Sequence, residues 1–330
     1  MPGTSTITGF CEHPSTLRLP QITRWTAAGR SFRNVGCTRR VDRRRLDWTL
    51  EPLAMTGLIA ELPPPPSGRN GWPWTEETDP VVYSEPPRTG VWPKLTIVCP
   101  SFLQGGFIEE TIRSVLLQNY PRLEFIVMDG SSDDETPAIL RKYARWLAFW
   151  ESTPDRGQSH ALNKGYARAT GELHGWINSD DYYLPGAFAA VARMARLSRR
   201  ELYYGDWKER SDQGFALREH HERPAFRFQV AVGGRTLPSH GTFWSATAHQ
   251  PFNESLHFTM DADFFKRLSG AGAKPRHIGQ FLAVFRQHAA AKSSTMIAVA
   301  RAETAAWSRA QPWHTSWQWK LSRLVDRLRR

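Results

Sequence analysis

Four short clusters in this chain combine residue types able to bind phosphate, hold a cation or move a proton. They are Asp129-Gly130-Ser131-Ser132-Asp133, Asp155-Arg156-Gly157-Gln158, Asn178-Ser179-Asp180-Asp181 and Met260-Asp261-Ala262-Asp263. The first three stand at or shortly after the ends of apolar runs, as Pro100-Ser101 does after residues 95–99. Carboxylates converging on one edge repel one another unless a cation or donor groups sit among them. That pattern favours a metal ion held through oxygen ligands.

The elements that must position these residues are legible in the apolar pattern. Buried strands are expected at 95–99, 123–128, 147–151 and 173–177. Between them, Ile108, Ile112, Val115 and Leu116 recur at helical spacing. Helices are also expected at 134–145, with Pro137 tolerated in the first turn, and at 159–169. Leu184-Pro185-Gly186 opens another, running to about residue 197. Strands alternating with helices of this length form βαβ units and a mostly parallel α/β sheet. In such sheets ligands bind beyond the carboxyl ends of the strands, where the polar clusters lie.

Residues 94–294 resemble the family 2 glycosyltransferases, inverting enzymes with the A-type, Rossmann-like glycosyltransferase fold and flanking helices. The resemblance is carried by TIVCPSF, IVMDGSSDDET, PDRGQSHALNKGYARATGE and WINSDDYYLPGA, then by HGTFW, FNESLHFTMDADFFKRL and FLAVFRQH, in the family's order. It implies a nucleotide-sugar donor, with UDP expected, bound by Pro100, Ser101, Asp129, Arg156, Lys164 and Asp181. Asp129 would accept the N3–H of uracil; its alternative is an Asx turn capping Ser131 or Ser132. Asp180 would hold Mg²⁺ or Mn²⁺ across the donor's diphosphate, with His288 of Arg286-Gln287-His288 as a second ligand. Asn178 stands where the family usually has an acid. Asp261 aligns with the general base that takes the acceptor hydroxyl's proton. Asp263 is the runner-up, or a helix acid supporting Lys266 or Arg267. Lys292, Ser293 and Ser294 could close over the phosphates as a flap.

Composition sets the outer limits. The 330 residues are 40% hydrophobic, enough for an ordinary core, and no run reaches the roughly 18 apolar residues of a spanning helix. No secretory signal is read at the start, and Cys11, Cys37 and Cys99 are too scattered for a disulfide framework, so a cytoplasmic chain is expected. The net charge of +11 is concentrated at the ends: residues 1–50 hold nine arginines against three acids, and 307–330 six basic residues against one acid. Residues 1–93 read as a Pro-rich basic extension, partly disordered, whose 71–93 stretch docks through Trp72, Trp74, Tyr83 and Trp92. Residues 295–330 read as a basic tail. There Trp307, Trp313, Trp317 and Trp319 lie among Arg309, Lys320, Arg323, Arg327, Arg329 and Arg330, a pattern suited to the inner face of an anionic membrane.

The expected function is inverting, metal-assisted hexosyl transfer from a nucleotide-diphosphate sugar to a glycan or lipid-linked glycan, with no nucleic-acid partner. A sugar-phosphate nucleotidyltransferase would want a Gly-rich phosphate loop, of which Gln104-Gly105-Gly106 is a faint echo. A non-catalytic polyanion-binding protein gives no reason for acids at successive strand ends.

Overall fold

The computed structural model describes residues 57–87, 90–309 and 317–328. Outside them lie the basic first fifty residues with Cys11 and Cys37, Trp313, Arg329 and Arg330, and also the side chains of Trp307, Trp319, Arg323 and Arg327.

Nine strands are present among the described residues: β1 (Leu95–Ser101), β2 (Leu123–Asp129), β3 (Phe149–Ser152), β4 (Leu173–Trp176), β5 (Tyr182–Tyr183), β6 (Glu201–Ser211), β7 (Ala216–His220), β8 (Thr242–Ser245) and β9 (Lys274–Gln287). The helices are α1 (Ile108–Leu116), α2 (Thr136–Tyr143), α3 (Gln158–Tyr166), α4 (Ala187–Met194), α5 (Arg227–Ala231), α6 (Met260–Gly270), α7 (Lys292–Thr295), α8 (Ile297–Arg309) and α9 (Trp317–Leu328). The sheet order is β3-β2-β1-β4-β8-β6-β9-β5, with β7 paired to β6.

The first four strands are parallel, as the βαβ pattern requires. Beyond β4 the sheet is mixed: β8 runs antiparallel to β4 and to β6, whereas β6 and β9 pair in parallel over most of their length. This half is not a run of βαβ units: 201–211 is a strand with five charged residues, and its parallel partner 274–287 carries the apolar run Phe281 to Phe285.

Alternation along β1 and β2 sorts their side chains onto two faces. Ile97, Cys99, Phe125 and Val127 pack with α1, α2 and α4 in one core. Val98, Ile126 and Met128 pack with α3 and α6 in the other. Helix α3 lies so close to the sheet that a Cβ at Gly165 would stand 2.4 Å from Val98 Cγ1, so glycine is required there.

Residues 57–93 pack on the first core through Leu62, Tyr83 and Trp92, so the packing starts before the 71–93 stretch. Proline-rich backbone has carbonyls with few partners of its own. Buried Arg113 on α1 supplies them, donating to Pro63 O at 2.8 Å, Pro73 O at 3.0 Å and Trp74 O at 2.8 Å.

Candidate functional site

A cleft of about 500 Å³ opens at the carboxyl ends of β1 and β4. Pro100, Ser101 and Phe102 line it from β1, and Asn178 and Asp180 from the turn after β4. Ser101 Oγ is buried there without a hydrogen-bond partner among the described residues, an unmet polar group suited to a ligand. Phe102 is 58% exposed, unusual for a ring at a strand end and suited to stacking.

Asp180 faces the cleft, with its Oδ2 3.1 Å from His288 Nε2 at the end of the β9 arm. The His288 ring rests on Phe107, centroids 4.4 Å apart. Sequence reading had named these two residues as metal ligands, and the fold brings them together across 108 residues. No group of three or more His, Cys, Asp or Glu is placed to hold a metal among the described residues. Two protein donors still fit an ion that takes its remaining ligands from phosphates and water.

Asp181 takes a different place. It is 0% exposed and accepts from Arg286 N at 2.9 Å and Asn178 Nδ2 at 3.2 Å. Burial pushes its carboxyl well above the usual carboxylate range, and the neighbouring Asp180 charge adds to this. It ties the β4 turn to β9 from beneath the cleft rather than lining it.

Asp129 also lies beneath the cleft, 1% exposed. Its carboxylate accepts from Ser132 N at 2.9 Å, Ser132 Oγ at 2.6 Å and Ser152 Oγ at 2.6 Å. This is the Asx-turn arrangement, extended to the end of β3. The acid that lines the cleft here is Asp155, whose Oδ1 accepts from Gly157 N at 2.7 Å. Gly130 makes the room: a Cβ there would stand 3.1 Å from Asp155 Oδ2 and 3.2 Å from the Phe102 ring.

Arg156 and Lys164 point elsewhere. Arg156 pairs with Glu254 at 2.6 Å, its side chain 68% exposed. Lys164 pairs with Glu151 and donates to Thr153 Oγ1 at 3.0 Å. With Asn163, which donates to Phe252 O and Glu254, Arg156 clamps the 252–254 segment onto α3. Of that polar stretch Gln158 reaches the cleft, donating to Asn178 Oδ1 at 2.7 Å and accepting from Lys292 Nζ at 2.7 Å. Gly105 N–H donates to Asp134 Oδ2 at 2.7 Å, so the supposed phosphate loop spends a donor on the protein.

Asp261 is half-buried in the first turn of α6, and its Oδ1 accepts the Ala262 N–H at 2.7 Å. Burial raises its carboxyl, opposed by that N–H and by the charge of Lys292. Burial lowers the Lys292 ammonium, opposed by Asp261, Glu303 and Asp180. Lys292 on α7 thus lies within the field of both the Asp180 and Asp261 carboxylates, and it lines the cleft. Asp263 instead forms a 2.7 Å ion pair with Arg267. The start of α6 is held by Glu303 of α8, which accepts from the N–H groups of His257, Phe258 and Thr259 at 2.7, 2.8 and 3.0 Å. No signal in the sequence marked Glu303, because its partners are backbone groups 44 to 46 residues away.

Residues 96–263 match the family described as Glycosyl transferase family 2. The chain belongs to that family. It is 36% identical over 92 residues to an uncharacterized glycosyltransferase of Mycobacterium tuberculosis, covering 28% of this chain and 35% of the other. It is 29% identical over 107 residues to the GalNAc(5)-diNAcBac-PP-undecaprenol beta-1,3-glucosyltransferase of Campylobacter jejuni, covering 31% and 35%. These alignments thus span about a third of the length of those relatives. Among solved structures, it is similar to Staphylococcus aureus TarS 1-349 in complex with UDP-GlcNAc, at 16% identity and a TM-score of 0.47, covering 61% of each chain. A second is the mannosyltransferase PcManGT from Pyrobaculum calidifontis in complex with GDP-Man and Mn²⁺, at 18% identity and a TM-score of 0.48, covering 70% and 64%.

Proposed function

We propose that this chain is an inverting glycosyltransferase that moves a sugar from a nucleotide-diphosphate donor, UDP-linked by preference, to a glycan or lipid-linked glycan. The observation that carries the reading is one cleft lined by Asp155, Asp180 and Lys292, with Asp180 paired to His288 at 3.1 Å. It offers a phosphate-binding end, and Asp261, whose carboxylate and the Lys292 ammonium act on each other, is read as the proton acceptor that displacement at an anomeric carbon needs on the opposite side.

The nucleobase is read into the slot between Phe102 and Asp155, opposite Gly130. There the Phe102 ring supplies a stacking surface, and Asp155 is the acceptor for the uracil N3–H in place of Asp129. Asp180 and His288 would hold a Mg²⁺ or Mn²⁺ ion, the carboxylate being the ligand type that suits both. When bound, such an ion neutralises charge on the departing diphosphate. Lys292 brings a cation to the same end of the cleft. Asp261 takes the acceptor hydroxyl's proton as that oxygen bonds to the anomeric carbon and the bond to the diphosphate oxygen breaks, with inversion.

The acceptor is read as a glycan presented at the cytoplasmic face of a membrane. Support comes from the named activity of the Campylobacter relative, which acts on an undecaprenol-linked glycan, and from the basic 307–330 segment. The test is a panel of UDP-, GDP- and CDP-sugars with Mn²⁺, read by thermal shift and by release of nucleoside diphosphate. Stabilisation and turnover with a UDP-sugar are expected. A chain that none of the donors stabilises and that releases no diphosphate is not a transferase of this kind.

A further inference from the structure

We infer that α9 lies along an anionic lipid surface through one exposed apolar row; this rests on the membrane reading above and names the face. Trp317, Leu321, Leu324 and Leu328 are 70, 39, 50 and 77% exposed. Their spacing of four, three and four residues puts them on one side of the helix. Large apolar side chains scattered singly over a surface are ordinary, but four in one row mark an interaction face.

The other side of α9 is anchored. Ser322 is fully buried, and its carbonyl accepts from Gln229 Nε2 of α5 at 3.5 Å. A Cβ at Gly234 would stand 2.2 Å from Ser322 Oγ, so the helix rests directly on the 229–234 turn. The row is therefore presented by a helix fixed to the domain, so docking there would hold the domain in one orientation.

Charge selects the occupant. Exposed Lys320 stands beside the row, in a segment, 307–330, whose sequence holds six basic residues against one acid. An apolar stripe on a basic segment suits anionic headgroups over acyl chains. A second copy of this chain would set these like charges against each other. No helix among the described residues is long and apolar enough to cross a membrane.

The experiment is co-sedimentation with phosphatidylcholine vesicles, with and without phosphatidylglycerol, at low and high salt. The full chain is compared with Leu321→Glu/Leu324→Glu, both positions being exposed. The wild type is expected in the pellet with anionic vesicles, less so at high salt. The double variant should partition at least about tenfold more weakly, since each leucine loses its burial in lipid. UDP binding equal to wild type shows that its fold is intact. If the wild type ignores anionic vesicles, the membrane reading and this face both fall. If wild type and variant pellet equally, only the face falls. A wild-type dimer that the double variant converts to monomer, by light scattering, would make the row a self-association surface and overturn lipid docking.

Discussion

Glu303 accepts the N–H of Thr259 at 3.0 Å, tying α8 to the first turn of the helix that carries Asp261. The carboxylate does for α6 what a helix cap does, but from another element 44 residues away. Burial alone would raise the Glu303 carboxyl. The N–H groups of Thr259, His257 and Phe258 outweigh it and hold the carboxyl below its usual value. Glu303→Ala is expected to lower stability by about 1–2 kcal/mol, the size of a lost cap, measured by urea unfolding. The sign of the pH dependence follows. The folded value lies below the unfolded one of about 4.3, so the contribution is whole above that pH and is lost as pH falls through the folded value. Glu303→Gln should lack that acid-side loss, and an unchanged pH profile would remove the carboxylate from this role.

Asp129 and Asp155 should separate cleanly. Asp129→Ala leaves Ser132 and Ser152 without their acceptor in a buried place, which costs about 1–3 kcal/mol. It should therefore lower the melting temperature. Asp155→Ala, at the cleft, should leave stability near wild type and weaken UDP more than CDP, closing the gap between them in calorimetric competition. If Asp129→Asn, stable enough to titrate, loses the UDP preference while Asp155→Ala keeps it, the two roles are reversed.

These two residues also show where sequence reading stops. The short apolar runs announced β1 to β4, and the order of motifs named Asp180 and His288 for one site, where the fold sets them 3.1 Å apart. Spacing could not tell which strand-end acid turns inward. That choice depends on Ser132 and Ser152, the second of which comes from another strand. Arg156 and Lys164 were equally illegible, since Glu254 and Glu151 claim them through folding. In the mixed half only the strand-like run Phe281 to Phe285 of β9 was legible; β6 escaped because its partner lies 73 or more residues away and its second half is charged and half-exposed.

Donor affinity should need a divalent ion through Asp180 and His288. UDP binding is expected to weaken on adding EDTA, and Asp180→Ala should bind UDP weakly with or without the chelator. His288→Ala should fall between, because one carboxylate still holds charge at the site. Equal UDP affinity in all these conditions would discard the metal site.

Lys292→Met should raise the donor KM, because a half-buried cation lining the cleft, read as facing the diphosphate, is lost. The same change removes the positive charge that lowers Asp261, so the acid limb of the pH–rate profile should move to higher pH. Lys292→Arg should restore much of both effects. A KM and a limb that stay where the wild type has them would leave Lys292 as a partner of Gln158 and nothing more.

Asp261 is the strongest test of the inverting mechanism. With Asp180 and His288 read as the donor end of the cleft, the base comes from another element and faces the anomeric carbon from the acceptor side. Helix α6 supplies two acids in its first turn. Asp263 is committed to Arg267 at 2.7 Å, a pair that stabilises the helix and keeps the carboxylate from a substrate. Asp261 has no such cation bonded to it among the described residues, and burial raises its carboxyl above the ordinary value of about 3.9. A base of higher pKa accepts a proton more readily. Asp261→Asn should bind UDP like the wild type and lower kcat by about 10² to 10⁴. Asp263→Asn should lower stability modestly and turnover little. In the wild type, kcat/KM should fall at acid pH with a midpoint above that of an ordinary aspartate, and Asp261→Asn should lose that limb. Near-normal turnover in Asp261→Asn would end the assignment, and a larger loss in Asp263→Asn would move the base two residues along α6.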